Sequence, residues 1–265
     1  MDSVDFAIIP AAGKGSRWDP ISSFVPKEML PLNGTPVIEL VIREAIESNV
    51  KKIIIVINKE KEVIRNFINS RSNLNKSADF YFVYQDKPLG VIDAVYRARS
   101  ILKGKNFALL FPDMPSYYQQ IPPLKQTLEI FNALPTGHSV LSFAKYPQNN
   151  MLFYGEFLLK KRENHLYDVL HLCPRAKTPT DIHHLNDNLR GAGRNIFSFV
   201  TFPLINQIAA KPFKGEISDA NLLNLMFEKK IPIIGKEIDG FIFDAGTPEL
   251  FAKANWFATL QKKKL

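Results

Sequence analysis

Two short stretches near the N-terminus combine residue types suited to phosphate chemistry. The string Pro10-Ala11-Ala12-Gly13-Lys14-Gly15-Ser16-Arg17 sets small residues at the end of an apolar run, Phe6–Pro10. Small residues let a ligand approach the backbone, whose N–H groups cradle phosphate oxygens. Arg17 adds a fixed fork of donors matched to those oxygens. The loop is neither a GxxxxGK[ST] loop nor a complete GxGxxG, and a tight strand-to-turn connection calls for the same glycines. Ten residues past Arg17 comes Pro26-Lys27-Glu28-Met29-Leu30-Pro31, whose lysine taken alone reads as a surface residue between prolines. Farther on, Asp113 follows the apolar run Phe107–Phe111 and Asp244 follows Phe241–Phe243. Carboxylates at strand ends lie where an open α/β sheet collects its ligands. Each also serves as a turn residue, Asp244 as an Asx turn close to Gly246.

The elements that must position these residues alternate. Phe6–Pro10, Ile53–Ile57, Asp79–Tyr84 and Phe107–Phe111 read as strands, the β-branched Ile53–Ile57 most strongly. Between them, Pro36–Ser48, Glu60–Asn69 and Gly90–Leu102 have apolar positions at helical spacing, and Asn49 is placed to stop the first. This alternation predicts a doubly wound nucleotide-binding half. The second half is less regular. Ser139–Lys145, Tyr154–Lys160, Asn195–Phe202 and Phe241–Phe243 read as strands, Arg175–Asn188 as a polar loop, and Glu216–Lys229 and Pro248–Leu260 as helices.

Taken together, Gly13, Gly15, Arg17 and the Pro-Lys-Glu-Met-Leu-Pro string resemble the signature of the sugar-1-phosphate nucleotidylyltransferases, most nearly the bacterial UTP–glucose-1-phosphate uridylyltransferases. The match is strong over about the first thirty residues and continues in weaker patches along most of the chain. The resemblance implies that Arg17, Lys27 and Asp113 are catalytic. It also implies that Ala11, Ala12, Gly13, Gly15, Glu28, Gln85 and Gly90 bind nucleotide, and that Asp113 and Asp244 hold Mg²⁺. Two hard carboxylates plus nucleotide phosphates suit that ion. Gln85, ahead of Leu89-Gly90-Val91, occupies the segment that reads the pyrimidine base. An amide both donates and accepts, as a uracil or thymine edge requires, and Gly90 gives the base access to the backbone. The resemblance also reaches Gly193–Ser198 and Gly215-Glu216-Ile217.

One departure stands out. The family's Glu-Lys-Pro segment holds the sugar through its glutamate and the sugar phosphate through its lysine. Here the counterpart is Leu172-Cys173-Pro174, with neither charge. Gly155, Arg175 and Lys177 are the expected sugar-phosphate residues, with Arg190 as another nearby cation. Cys173 reads as a semi-buried small residue rather than a nucleophile, since this chemistry needs no covalent intermediate.

Composition bounds these readings. The chain has 265 residues, 46% hydrophobic and 23% charged, with a net charge of +8. That is an ordinary balance for a packed protein and excludes bulk disorder. The basic residues are dispersed apart from Lys262–Lys264, with no aromatic-interleaved stripe, so nucleic acid is not the expected partner. The excess charge is consistent with a field that favours phosphorylated small molecules, though charge alone does not choose between partners. The apolar runs are too short for a bilayer and the start is acidic where a signal peptide is basic. A single cysteine suits a reducing compartment, so a cytoplasmic enzyme is expected.

The expectation is therefore an α/β protein with a doubly wound, mostly parallel, Rossmann-like sheet. It forms one nucleotidyltransferase domain, with a nucleotide-binding half over residues 1–135 and a sugar-phosphate half over 136–265. Its expected reaction joins a nucleoside triphosphate, UTP before dTTP, to a sugar 1-phosphate with Mg²⁺, releasing pyrophosphate. Neither nucleic acid nor membrane is expected as a partner, and the oligomeric state is left open. Two rivals are carried: a different phosphorylated acceptor, and a nucleotide-binding sensor that has lost catalysis.

Overall fold

The β-branched run at residues 53–57 lies one strand in from an edge of the sheet. In the computed structural model, which describes residues 3–146, 156–173, 188–211 and 215–262, it belongs to the strand Lys52–Ile57, and its isoleucines are inaccessible to solvent. A strand covered on both faces reads as a continuous apolar run because neither side meets water. Each such isoleucine contributes about 1.5–3 kcal/mol of burial free energy. Lys52–Ile57 lies in parallel between Asp79–Tyr84 and Phe6–Pro10, and Phe6–Pro10 pairs in parallel with Phe107–Leu110.

Beyond Phe107–Leu110 the sheet continues into the second half of the chain. The antiparallel strand Arg194–Phe197 joins Phe107–Leu110 to Ser139–Lys145, which pairs in parallel with Ile233–Glu237. Leu166–Leu172 and Phe157–Lys161 extend the far edge in antiparallel fashion, and Leu189–Gly191 pairs with Ser139–Lys145. Asp79–Tyr84, Lys52–Ile57, Phe6–Pro10, Phe107–Leu110, Ser139–Lys145 and Ile233–Glu237 all run one way, giving the mostly parallel α/β sheet that the sequence predicts.

Apolar helix stripes cover both faces. On one face, Ile38 and Val41 of Val37–Glu47, Ile64 of Glu62–Ser70 and Leu124 of Pro123–Ala133 pack in one core. On the other, Val95 of Val91–Arg97, Ile205 of Phe202–Ala209 and Met226 of Asp219–Glu228 pack in a second.

Several boundaries differ from the sequence reading. The helix expected over residues 90–102 is split into Val91–Arg97 and Arg99–Leu102. The strand expected through Phe202 stops at Phe197, because Pro203 in the first turn suits a helix start and Phe202–Ala209 is helical. The helix expected from Glu216 begins at Asp219, where Ser218 and Asn221 form a reciprocal capping box. Most of the polar loop expected over Arg175–Asn188 lies outside the described residues. No helix among the described residues is long and apolar enough to cross a membrane.

Candidate active site

The glycine loop leaves the strand Phe6–Pro10 with its first carbonyls tied to the protein interior. Lys61 Nζ donates to the Ala11 carbonyl at 2.9 Å, and Asn58 Nδ2 donates to that of Ala12 at 3.0 Å. Ala12 and Gly13 line a cavity of about 150 Å³, together with Lys27, Glu28, Gln85, Gly90 and Asp113. A Cβ on Gly13 would meet nothing within 4 Å, so packing does not demand glycine there; a ligand drawn up to the backbone would. Glu28, in the turn Lys27–Met29, is only 1% exposed and receives a 2.8 Å bond from Lys61 Nζ. One buried lysine thus joins the Pro-Lys-Glu-Met-Leu-Pro string to the glycine loop. Lys61 escaped the sequence reading because, alone in a charged turn, it has the signature of a solvated residue.

The charged groups converge on Gly246. A Cβ placed there would lie 2.7 Å from Asp244 Oδ1, 3.0 Å from Arg17 Nη2 and 3.3 Å from Asp113 Oδ2. The strand ends carrying the two aspartates are held together by backbone. Ser116–Tyr117 pairs with Phe241–Ile242, and the Ala245 N–H donates to the Asp113 carbonyl at 2.7 Å. Ser116 Oγ donates to Glu44 Oε2 at 2.5 Å, and the fully buried Arg194 grips the same carboxylate at 2.6 Å, so this ribbon is anchored to the core. Arg17 is held close by its neighbour Trp18, whose indole N–H donates to the Ala245 carbonyl at 3.1 Å. Asp244 also makes the Asx turn read as its alternative role, accepting the Gly246 N–H at 2.6 Å.

Lys27 Nζ donates to Asp113 Oδ2 and forms an ion pair with it. Burial pushes the Asp113 carboxyl up, but the Lys27 ammonium overrides this and holds it below the usual aspartate range. Burial likewise pulls the Lys27 ammonium down, and the Asp113 and Glu28 carboxylates outweigh it and raise it. Asp244 goes the other way: burial first, then repulsion from Asp113, raises its carboxyl. Two oxyanions that crowd one point at a cost suit a hard divalent cation completed by phosphate or water oxygens. Among the described residues no group of three or more His, Cys, Asp or Glu side chains forms a protein-only metal cage.

Gln85 lines the small cavity, but its amide is partly engaged. Nε2 donates to the Gly90 carbonyl at 2.9 Å and to Asp93 Oδ2 at 2.7 Å. Both N–H bonds are thereby used, and the amide does not offer the cavity a donor and an acceptor together, as the sequence suggests. Gly90 also owes its identity to something other than base access. Its φ is +96°, and a Cβ would fall 2.4 Å from the Ile217 carbonyl oxygen. Ile217 donates to the Leu89 carbonyl at 2.7 Å, and Ile92 donates back to Ile217 at 3.1 Å, closing the Gly-Glu-Ile segment onto the loop at Leu89 and Gly90.

A second cavity of about 800 Å³ opens beside the Asp113 strand end, lined by Phe111, Gly193, Phe143, Phe157, Cys173 and Asp219, among others. No lysine or arginine lines it among the described residues. Gly155, Arg175 and Lys177, the expected sugar-phosphate residues, lie outside the described residues. Arg190 does not supply the missing cation. It is 1% exposed, paired with Glu156 at 3.3 Å and donating to the Leu189 carbonyl. Burial and the Glu156 carboxylate push the Cys173 thiol up, away from a nucleophilic thiolate.

Known proteins resemble this chain in sequence and in fold. The chain is 28% identical to a UTP–glucose-1-phosphate uridylyltransferase of Mycoplasma pneumoniae, covering 98% of this chain and 94% of that protein. It is 27% identical to that of Bacillus subtilis, covering 100% and 94%. A solved UDP-glucose pyrophosphorylase complexed with UDP-glucose superposes with a TM-score of 0.85 at 23% identity, covering 99% of this chain and all of the other. A UTP-bound enzyme of Acinetobacter baumannii superposes at 0.79 with 22% identity, covering 97% and 94%. The model of the Nucleotidyl transferase family matches residues 6–165, more than half the chain, and the protein belongs to that family.

Proposed function

We propose that this nucleotidyltransferase is a uridylyltransferase that joins UTP to a sugar 1-phosphate, glucose 1-phosphate first, giving UDP-sugar and pyrophosphate. The observation that carries this is the meeting of Arg17, Asp113 and Asp244 around Gly246, with Lys27 on Asp113 and both of that pair lining a cavity shared with Gln85 and the glycine loop. The names of the curated relatives support the choice of UTP and glucose 1-phosphate.

In such a transfer a phosphate oxygen of the acceptor attacks the α-phosphorus, and pyrophosphate leaves. The nucleophile is already an anion, so no general base is required. The obstacle is repulsion between polyanions, and catalysis consists of alignment and charge neutralisation. Backbone donors at Ala12 and Gly13 hold the triphosphate. Arg17 and Lys27 cover its charge and that of the departing pyrophosphate, Lys27 exchanging Asp113 for phosphate oxygens. Asp113 and Asp244 would hold Mg²⁺, which supplies Lewis-acid polarisation of the α-phosphoryl group when bound. Gln85 faces the base in the small cavity, and the larger cavity beside Phe111 takes the sugar. The whole chain acts as one unit, the first half holding nucleotide and the second the acceptor.

Pyrophosphate release measured over UTP, dTTP, CTP and ATP, each with a panel of sugar 1-phosphates and phospho-alcohols, with and without Mg²⁺, tests this reading. UTP with glucose 1-phosphate and Mg²⁺ is expected to turn over fastest. Turnover only with a phospho-alcohol would move the acceptor class. Nucleotide binding without any transfer would establish the sensor instead.

A further inference from the structure

Taking the small cavity as the nucleotide site, as proposed above, we infer that Asp93 is a specificity-determining residue, which selects the base by fixing the orientation of Gln85. A glutamine amide has two faces of opposite character, and a free one rotates to suit its ligand. Here it is not free. Gln85 is 3% exposed, and both groups that approach its nitrogen, the Gly90 carbonyl and the Asp93 carboxylate, accept hydrogen bonds and donate none. Reversing the amide would set its oxygen against two acceptors, one of them a carboxylate. Such a network assigns the orientation without ambiguity.

Asp93 is itself held. It is 5% exposed in the first turn of the helix Val91–Arg97, and Arg97 Nε lies 3.3 Å from its Oδ2. Gln85 lines the cavity, and with both N–H groups of its amide spent, the carbonyl oxygen is the polar atom left to meet a ligand there. An acceptor fixed in that place suits a base whose ring nitrogen carries a hydrogen, which is N3–H in uracil and thymine. Cytosine offers a lone pair at that nitrogen, so two acceptors would face each other. Discrimination against a wrong hydrogen-bonding pattern is large when the protein group can neither rotate nor be hydrated. The arrangement separates uracil from cytosine and does not separate uracil from thymine.

The test compares kcat/KM for UTP and CTP, at a fixed sugar 1-phosphate, in wild type, Asp93→Ala and Asp93→Asn, with nucleotide binding measured by calorimetry. Wild type is expected to favour UTP more than tenfold. In Asp93→Ala the preference should fall at least tenfold, because only the Gly90 carbonyl then opposes rotation. In Asp93→Asn, whose amide can turn its nitrogen toward Gln85 and so accommodate the reversed orientation, the preference should fall as well. A merely structural role would lower stability and both activities together and leave the ratio unchanged. If circular dichroism shows Asp93→Ala unfolded, Asp93→Ser carries the same expectation. An unchanged ratio in the folded Ala or Ser variant overturns the role of Asp93, as does a wild type indifferent to UTP and CTP. A wild type that binds no nucleotide overturns the transferase reading as well, so the two failures are distinguishable.

Discussion

Lys27 and Asp113, 86 residues apart in the chain, form an ion pair at the edge of the small cavity, and each shifts the other's pKa toward its charged form. The pair joins the cation proposed to cover the triphosphate to a carboxylate proposed to hold Mg²⁺. Phosphate oxygens and a metal each compete with this contact. Metal and triphosphate binding are therefore coupled through a single contact, as any competition for a shared partner must be.

That competition predicts opposite effects on binding and turnover. Lys27→Ala should lower uridylyl transfer about a hundredfold or more, through loss of charge stabilisation in the transition state. The same substitution should tighten Mn²⁺ or Mg²⁺ binding in the absence of nucleotide several-fold, because the internal competitor for Asp113 is gone. Titration by calorimetry or by Mn²⁺ electron paramagnetic resonance reads the second effect. Weaker metal binding in a folded Lys27→Ala protein would show that the ion pair organises the site instead.

Asp244 gives a pH prediction. Burial, with Asp113 second, raises its carboxyl in the folded state above the unfolded value of about 3.9. The folded protein then binds the proton more tightly, so this group's cost to stability appears as pH rises from the unfolded value through the folded one. Asp244→Asn should therefore raise the melting temperature of the metal-free protein at neutral pH, with the gain disappearing near pH 4. Asp113, held low by Lys27 against the effect of burial, contributes stability that is lost only at pH below the ordinary aspartate range. Thermal melts from about pH 2 to 8 separate the two. A gain that persists at pH 4 would remove the linkage argument.

Glu28 and Lys61 predict stability rather than selectivity. Both are almost fully buried, and each is the other's ion-pair partner. Lys61→Met leaves a carboxylate without its counter-charge in the interior, a change that costs about 3–5 kcal/mol. It also frees the Ala11 carbonyl, so affinity for UTP and CTP should fall together. Glu28→Gln combined with Lys61→Met should recover part of the stability, because no unpaired charge remains. Denaturant melts of the single and double variants measure the coupling. A change in base preference in Glu28→Gln would instead assign Glu28 to the base.

The legible parts of this site share a property: their signals are local. A glycine loop after an apolar run, and aspartates at the ends of short apolar runs, declare their places through neighbours in sequence. Asp113 and Asp244 follow short strands as those strings predict, and the mostly parallel sheet follows from the same alternation. What the sequence hides depends on distant partners. Lys61 meets Glu28 across 33 residues, and Arg194 meets Glu44 across 150. Gly90 is required by the backbone at Ile217, a contact that its neighbours in sequence do not encode. Arg190, attractive as a cation near the acceptor segment, is consumed by Glu156 inside the fold. Residue type indicates which chemistry is available; only the tertiary partner decides whether it is spent on structure.

The two cavities should also separate in kinetics. Asp219 opens the helix Asp219–Glu228 and faces the larger cavity, where burial raises its carboxyl above the usual range. With no lysine or arginine lining that cavity among the described residues, a carboxylate there recognises hydroxyl donors rather than phosphate. Sugar hydroxyls are such donors, and a hydrogen bond of this kind contributes about 0.5–1.5 kcal/mol. Asp219→Ala should therefore raise KM for the sugar 1-phosphate several-fold, up to about tenfold, and leave KM for UTP near its wild-type value. Gln85→Ala should do the reverse. Initial-rate kinetics with each substrate varied at saturating concentration of the other read both. If Asp219→Ala moved the UTP constant alone, the sugar would have to bind elsewhere. The segment Gly215-Glu216-Ile217, hydrogen-bonded through Ile217 to Leu89 and Ile92, would then be the route by which the larger cavity influences the nucleotide.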